Sequence, residues 1–275
     1  MESNKIINVY DFDGTLYNGD SSIDFFLFSL KKNKKNILLI PKIFIYCILY
    51  FFHFVGIEKL KSVFYSFLRN VDDCEKLVND FWNKNSKKIN NELGEIIKYD
   101  KNAVVVSAAP LFLLKPILST LGVKKILASY VNISNGNLES ENCFGENKTK
   151  FIKNNYKNYK INNSYSDSYS DRFIARKTDN AYMLYNKKIC KYDEKKLFLK
   201  KIGKNSTIFA LLFFIFYFVL GMLINYNYNL SSNYNLLFQS DTKRVFNDFT
   251  NILYNHSRVG VHPLILFIQS SKLNN

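Results

Sequence analysis

The stretch Val9-Tyr10-Asp11-Phe12-Asp13-Gly14-Thr15-Leu16 decides the fold. It follows an apolar run (Ile6, Ile7, Val9, Tyr10) and breaks into Asp, Gly and Thr, so it reads as a buried strand running into a loop. Asp11 and Asp13 then stand at the carboxyl end of a strand, where open α/β sheets bind ligands. Two like charges this close repel each other. A Mg²⁺ ion would compensate them, because it takes a few carboxylates together with water and phosphate oxygens. The alternative is an acidic turn, since Asp-Gly is common turn chemistry.

Three further stretches follow in order. An apolar strand ends in a hydroxyl at Ala103-Val104-Val105-Val106-Ser107-Ala108-Ala109-Pro110. A lysine follows Gly-Glu in Gly145-Glu146-Asn147-Lys148. Two acids lie four apart in Ser166-Asp167-Ser168-Tyr169-Ser170-Asp171. Together with the opening octapeptide, these four stretches resemble the motifs of the haloacid dehalogenase superfamily, in its phosphoserine-phosphatase-like branch with a helical cap. Ser166 stands where the family pattern has Gly, a departure that would be strained if the position needed a positive φ.

The resemblance implies a phosphatase working through an aspartyl-phosphate. Asp11 would be the nucleophile, splitting one hard step into two. Asp13 would protonate the leaving oxygen and then activate water, which requires a pKa near working pH. Asp11 nearby is expected to push that pKa up, and Mg²⁺ and Lys148 to push it down. Gly14, Thr15, Ser107 and Ala108 would hold phosphate oxygens, and Lys148 would neutralise the charge shared by phosphate and Asp11. Asp11, Asp13, Asp167 and Asp171 would hold Mg²⁺, Asp171 directly or through water. Asp20 stands where the branch often has an acidic residue facing the substrate. Each residue also has a plainer reading: Ser107 as a helix N-cap ahead of Pro110, Lys148 as a surface lysine, and Asp167 with Asp171 as a polar loop.

The expected fold is α/β, with a Rossmann-like parallel sheet core at residues 1–16 and 97–192, because helical and strand patterns alternate after Ser107. Helix is expected at residues 111–121, 148–154 and 171–183, and strand at 125–131 and 159–163. Residues 17–96 read as the helical cap, an insertion of the kind that closes over a substrate and sets specificity. Within it, residues 37–57 are nearly apolar over a bilayer-like length and follow Lys31, Lys32, Lys34 and Lys35. A buried cap helix, an in-plane membrane helix and a span all remain open there, although a span would split the motifs across a bilayer.

Residues 193–205 read as a basic juxtamembrane linker and 206–226, free of charge and rich in Phe and Leu, as a transmembrane helix. The lysines before it place the catalytic domain in the cytoplasm by positive-inside asymmetry, giving a single-pass membrane protein. Residues 227–275 match no part of the family and read as an extracytoplasmic tail. The start of the chain is polar and leads straight into the first strand, so no signal peptide is read there. The 275 residues carry a formal net charge of +15. No basic and aromatic nucleic-acid motif accompanies that charge, and the lysine clusters fit anionic lipid better. Cys47, Cys74, Cys143 and Cys190 are scattered, which suits neither zinc nor disulfides. The expected activity is thus Mg²⁺-dependent phosphomonoester hydrolysis on a membrane-adjacent or lipid-linked phosphate. The alternatives are a phosphatase of a soluble, phosphoserine-like metabolite and a catalytically silent docking protein tethered to the membrane.

Overall fold

A computed structural model describes residues 5–204, 206 and 207. The chain divides at Glu194, with residues 195–275 forming a second unit whose described part is helical over residues 195–204. Of the transmembrane helix expected at residues 206–226 only 206 and 207 are described, and the tail at 227–275 lies outside the described residues. Among the described residues no helix is long and apolar enough to cross a membrane.

The first strand, β1 (Lys5–Tyr10), lies mid-sheet between β2 (Ala103–Pro110) and β4 (Tyr159–Ser166), parallel to both. β3 (Lys125–Ser129) extends the sheet beyond β2, and β5 (Thr178–Tyr185) extends it beyond β4, so five strands run parallel in the order β3-β2-β1-β4-β5. β6 (Lys188–Lys191) closes that edge antiparallel. The order reverses at β1, which places a crevice beyond the carboxyl ends of β1, β2 and β4.

Side chains alternate across the strands with the two-residue period. Ile7, Val9, Val104 and Val106 join Ile152, Ile161 and Ile174 in one apolar cluster. Tyr10 and Val105 join Leu113 and Leu118 in the other, together with Phe25, Phe67, Phe81 and Trp82 from the segment between β1 and β2. Helices therefore cover both faces: α7 (Glu146–Asn155) and the short α8 (Arg172–Ala175) on the first, α6 (Leu111–Thr120) on the second. Tyr10, Tyr165 and Tyr182, in register on adjacent strands, stack with ring centroids 4.8 and 5.1 Å apart. The carboxamide of Asn8 stitches the centre, donating to Asp100 Oδ2 (2.8 Å) and accepting from the Asn163 amide (3.0 Å).

Between β1 and β2 the chain forms α1 (Ser21–Lys32), a 3₁₀ segment (Lys34–Leu39), α2 (Ile40–Phe51), α3 (Ile57–Phe64), a second 3₁₀ segment (Tyr65–Asn70), α4 (Cys74–Asn85) and α5 (Asn91–Tyr99). Asp20, Asp73 and Asn90 cap α1, α4 and α5 through their side chains. The indole N–H of Trp82 on α4 donates to Leu113 O at the start of α6 (2.7 Å), tying this segment to the sheet layer. The long apolar run at 37–57 is not one helix. It breaks before Ile40 and again at His53, which adopts φ 61°.

The helix expected at residues 171–183 is corrected. Only Arg172–Ala175 is helical, and Thr178–Tyr185 forms β5. The Tyr- and Leu-rich alternation of 182–185 satisfies a strand, and Asn186 and Lys187, both at positive φ, make the tight turn into β6. Lys187 occupies the place where Gly usually signals such a turn, which hid the hairpin. α5 was likewise not read from the sequence.

Candidate active site

Asp11 follows the last residue of β1, and its amide donates to Tyr165 O on β4 (3.0 Å). Lys148 sits in the first turn of α7, where Gly145 at φ 57° turns the chain into the helix. The lysine is 3% exposed and donates from Nζ to Asp11 Oδ1 (2.6 Å) and Asp171 Oδ2 (2.9 Å). Burial opposes the charge on Lys148, but Asp11 and Asp171 outweigh it, and its pKa is pushed above the ordinary amine value. Asp11 is pushed up from the carboxylate range by burial and by the charges of Asp171 and Asp167, against the pull of Lys148. The ion pair stands because Lys148 remains an ammonium.

Asp171 is buried, and the same Oδ2 also accepts a hydrogen bond from the Ser166 hydroxyl (2.6 Å). Ser166 is therefore not a strained substitute for glycine: it is absent from the positive-φ residues, and its hydroxyl orients Asp171. Asp171 Oδ1 is buried without a hydrogen-bond partner. Asp171 lines a small cavity of about 10 Å³ with Tyr192, whose hydroxyl is also unpartnered, a volume at the lower limit for one water. Asp171 thus positions Lys148 in this structure.

Asp13 faces the inserted helices. Its Oδ1 accepts from the Ser21 amide at the start of α1 (2.7 Å). Its pKa is pushed up to about 7, first by burial and then by Asp20, whereas Asp11 was the expected cause. Asp20 is exposed and caps α1, accepting from the Ile23 amide (3.0 Å).

Gly14 and Thr15, both expected to hold phosphate oxygens, lie in the loop after β1. The Gly14 amide donates to Tyr17 O (2.8 Å) and Gly19 O (3.0 Å), so it is spent within the loop. What Gly14 supplies is space: at φ 75°, a Cβ there would lie 2.5 Å from the Asp167 carboxyl carbon. Thr15 is fully buried, with its hydroxyl unpartnered. Ser107 is not a helix cap, because β2 bulges on to Pro110, which itself precedes α6. The Ser107 hydroxyl accepts from the Ala109 amide (3.1 Å) instead.

Lys61, on α3, was not singled out from the sequence. Its ammonium donates to Ala108 O (2.6 Å) and Asn142 Oδ1 (2.7 Å), beside the Ser107 loop. Burial pushes its pKa down to about 8, against the charges of Asp20 and Asp13. An isolated lysine in a lysine-rich helix carries no sequence signal, and only the fold shows where it points.

Among the described residues no three His, Cys, Asp or Glu side chains form a ready-made metal cage. The charge distribution nevertheless fits one Mg²⁺. Asp11, Asp167 and Asp171 act on one another with Lys148 as their buried cation, and the Asp167 carboxylate is pressed against Gly14, on the loop that follows Asp11. Mg²⁺ needs only one or two carboxylates, because it keeps several waters.

The family model of haloacid dehalogenase-like hydrolases matches residues 9–176, more than half of the chain. The chain belongs to that family and is a hydrolase. Among solved structures it is similar in fold to a protein of unknown function from Bordetella pertussis Tohama I, at 16% identity and a TM-score of 0.53, covering 65% of this chain and 89% of that one. It also matches a phosphoserine phosphohydrolase-like protein from Francisella tularensis subsp. tularensis SCHU S4 (16% identity, TM-score 0.43, 65% and 86% covered). A phosphoserine phosphatase in apo form matches at 19% identity and a TM-score of 0.42, with 66% and 86% covered. No curated protein matches the chain.

Proposed function

We propose that the chain is a phosphomonoester hydrolase that uses Asp11 as its nucleophile and Mg²⁺ as its cofactor. The observation that carries this reading is the buried Lys148 ammonium, held 2.6 Å from Asp11 Oδ1 and 2.9 Å from Asp171 Oδ2 at the carboxyl end of β1. Lys148 opposes the protonation of Asp11 that burial favours and fixes Oδ1, leaving Asp11 Oδ2 to attack phosphorus. The phosphorus–oxygen bond to the leaving group breaks, and Asp13 gives its proton to the departing alkoxide. A carboxyl with a pKa of about 7 is matched to that task at neutral pH. The same group, now a carboxylate, takes a proton from the water that attacks the aspartyl-phosphate, releasing phosphate and restoring both acids. Mg²⁺, held by Asp11 and Asp167, would neutralise charge on the phosphoryl oxygens.

Substitution Asp11→Asn tests the reading. Turnover of p-nitrophenyl phosphate with Mg²⁺ should fall at least ~10³-fold, by analogy with the loss of a covalent nucleophile. Turnover equal to that of the parent removes the mechanism. The substrate class is a phosphorylated small molecule. Phosphate release from lipid vesicles, compared with release from a panel of soluble metabolites, separates a lipid-linked phosphate from a soluble one.

A further inference from the structure

The segment between β1 and β2 carries a surface for which the catalytic site has no use. α2 buries none of its residues. Leu38 (80% exposed), Ile45 (54%), Phe52 (61%) and Phe54 (75%) lie on α2 or at its two ends, with Phe44 and Tyr50 also open to solvent. Contiguous exposed apolar surface of this kind marks an interaction site.

The charges around it select the partner. Lys31, Lys32, Lys34, Lys35 and Lys42 are all exposed, and residues 31–57 contain no Asp or Glu. Lys32 is bonded to Asp80 (2.8 Å), and among the described residues no carboxylate pairs with the other four. An apolar face bordered by lysines and free of acids complements an anionic lipid surface, which offers acyl chains beside negative headgroups.

Geometry restricts the mode of contact. The 12 residues of α2 extend ~18 Å at 1.5 Å each, short of the ~30 Å hydrocarbon core. The chain turns back at His53 into α3. β1 and β2, which bracket the whole insertion, pair in one sheet, so both ends of the insertion lie on the same side. The span that the sequence left open is therefore excluded for residues 37–57.

We propose that α2 and the turn after it dock in the plane of an anionic bilayer, with the apolar side chains at the acyl boundary and Lys31, Lys34, Lys35 and Lys42 at the headgroups. The proposal stands on this surface alone and does not depend on phosphatase chemistry.

The test uses the full chain carrying Phe54→Trp, reconstituted with vesicles of phosphatidylcholine alone or mixed equally with phosphatidylglycerol. The phosphatidylcholine carries brominated acyl chains, which quench nearby tryptophan. The unsubstituted chain, whose single tryptophan is buried, supplies the background. The introduced tryptophan should be blue-shifted and quenched in anionic vesicles. Replacing Lys34, Lys35 and Lys42 with Gln should lower the ratio of quenched to unquenched tryptophan, roughly fivefold per lysine. Hydrolysis of p-nitrophenyl phosphate should be unchanged in all these variants. Emission indifferent to brominated lipid overturns the proposal. So does a blue shift without quenching, which signals cover by a second copy or by residues 208–275. Quenching that ignores both phosphatidylglycerol and the lysine substitutions overturns it as well. Failure of Asp11→Asn to abolish turnover bears on the phosphatase reading alone.

Discussion

Replacing Lys148 with Met should be the most costly single change to the stability of the site. Met retains much of the apolar stem and removes only the ammonium, which is 3% exposed and bonded to two carboxylates that are 11% and 4% exposed. Removing one partner of a buried ionic group leaves the others uncompensated, at a cost of ~3–5 kcal/mol. With a urea m-value of ~2 kcal/mol/M, the unfolding midpoint should fall by ~2 M at neutral pH without divalent ions. In the variant, Asp11 loses the cation that opposes its protonation, so its folded-state pKa, already raised, moves further above the unfolded value of ~3.9. That penalty is present above the raised value and fades as pH falls and Asp11 protonates. The gap between parent and variant should therefore narrow toward acid pH. The double variant Lys148→Met with Asp171→Asn removes one of the stranded charges while keeping an acceptor for Ser166. It should be ~1–2 kcal/mol more stable than Lys148→Met alone. Urea unfolding followed by far-UV circular dichroism provides the measurement. A midpoint shift below ~0.5 M, or a double variant weaker than the single one, refutes the assignment of Lys148 as the counter-charge of this cluster.

Lys61 titrates between about 8 in the folded chain and 10.5 unfolded, so the unfolded state holds its proton more tightly and stability rises with pH across that window. The gain has a ceiling of ~3 kcal/mol and should vanish in Lys61→Met; parallel stability curves for parent and variant would contradict it. Ser166→Ala should cost ~1–2 kcal/mol by removing the donor to buried Asp171, and Ser166→Thr should recover part of that loss, both read from unfolding midpoints. Gly136→Ala should also destabilise, because at φ 75° its Cβ would lie 2.2 Å from Tyr65 O; a variant as stable as the parent would show that the loop after β3 does not press on that segment.

The sequence was legible where physics acts locally. Alternating Ile and Val mark β1 and β2, Asp-Gly marks the turn after β1, and the spacing Gly145-Glu146-x-Lys148 places the amine one turn into α7. The parallel sheet and the meeting of Asp11, Lys148 and Asp171 follow from elements read this way. What escaped reading depends on distant partners. The spent amide of Gly14 is set by carbonyls reached only after the loop closes, and the pKa of Asp13 is set first by burial under the inserted helices and then by Asp20. The reach of Lys61 to Ala108 spans 47 residues and leaves no periodic trace. Residues 37–57 stayed open for the opposite reason: an apolar run fits burial, an in-plane membrane helix and a span alike, and only the fold shows that it is left on the surface.

The position of β1 has a consequence for the growing polypeptide. The middle strand of the sheet is the first to leave the ribosome, and the Asn8 side chain must wait for Asp100, 92 residues later, and for Asn163, 155 residues later. Closing loops of that length costs ~4 kcal/mol of chain entropy each, met only when the later strands arrive. Until then Ile7 and Val9 are unpaired and sticky during translation. A halt in synthesis before β4 therefore leaves one edge of β1 without its partner strand.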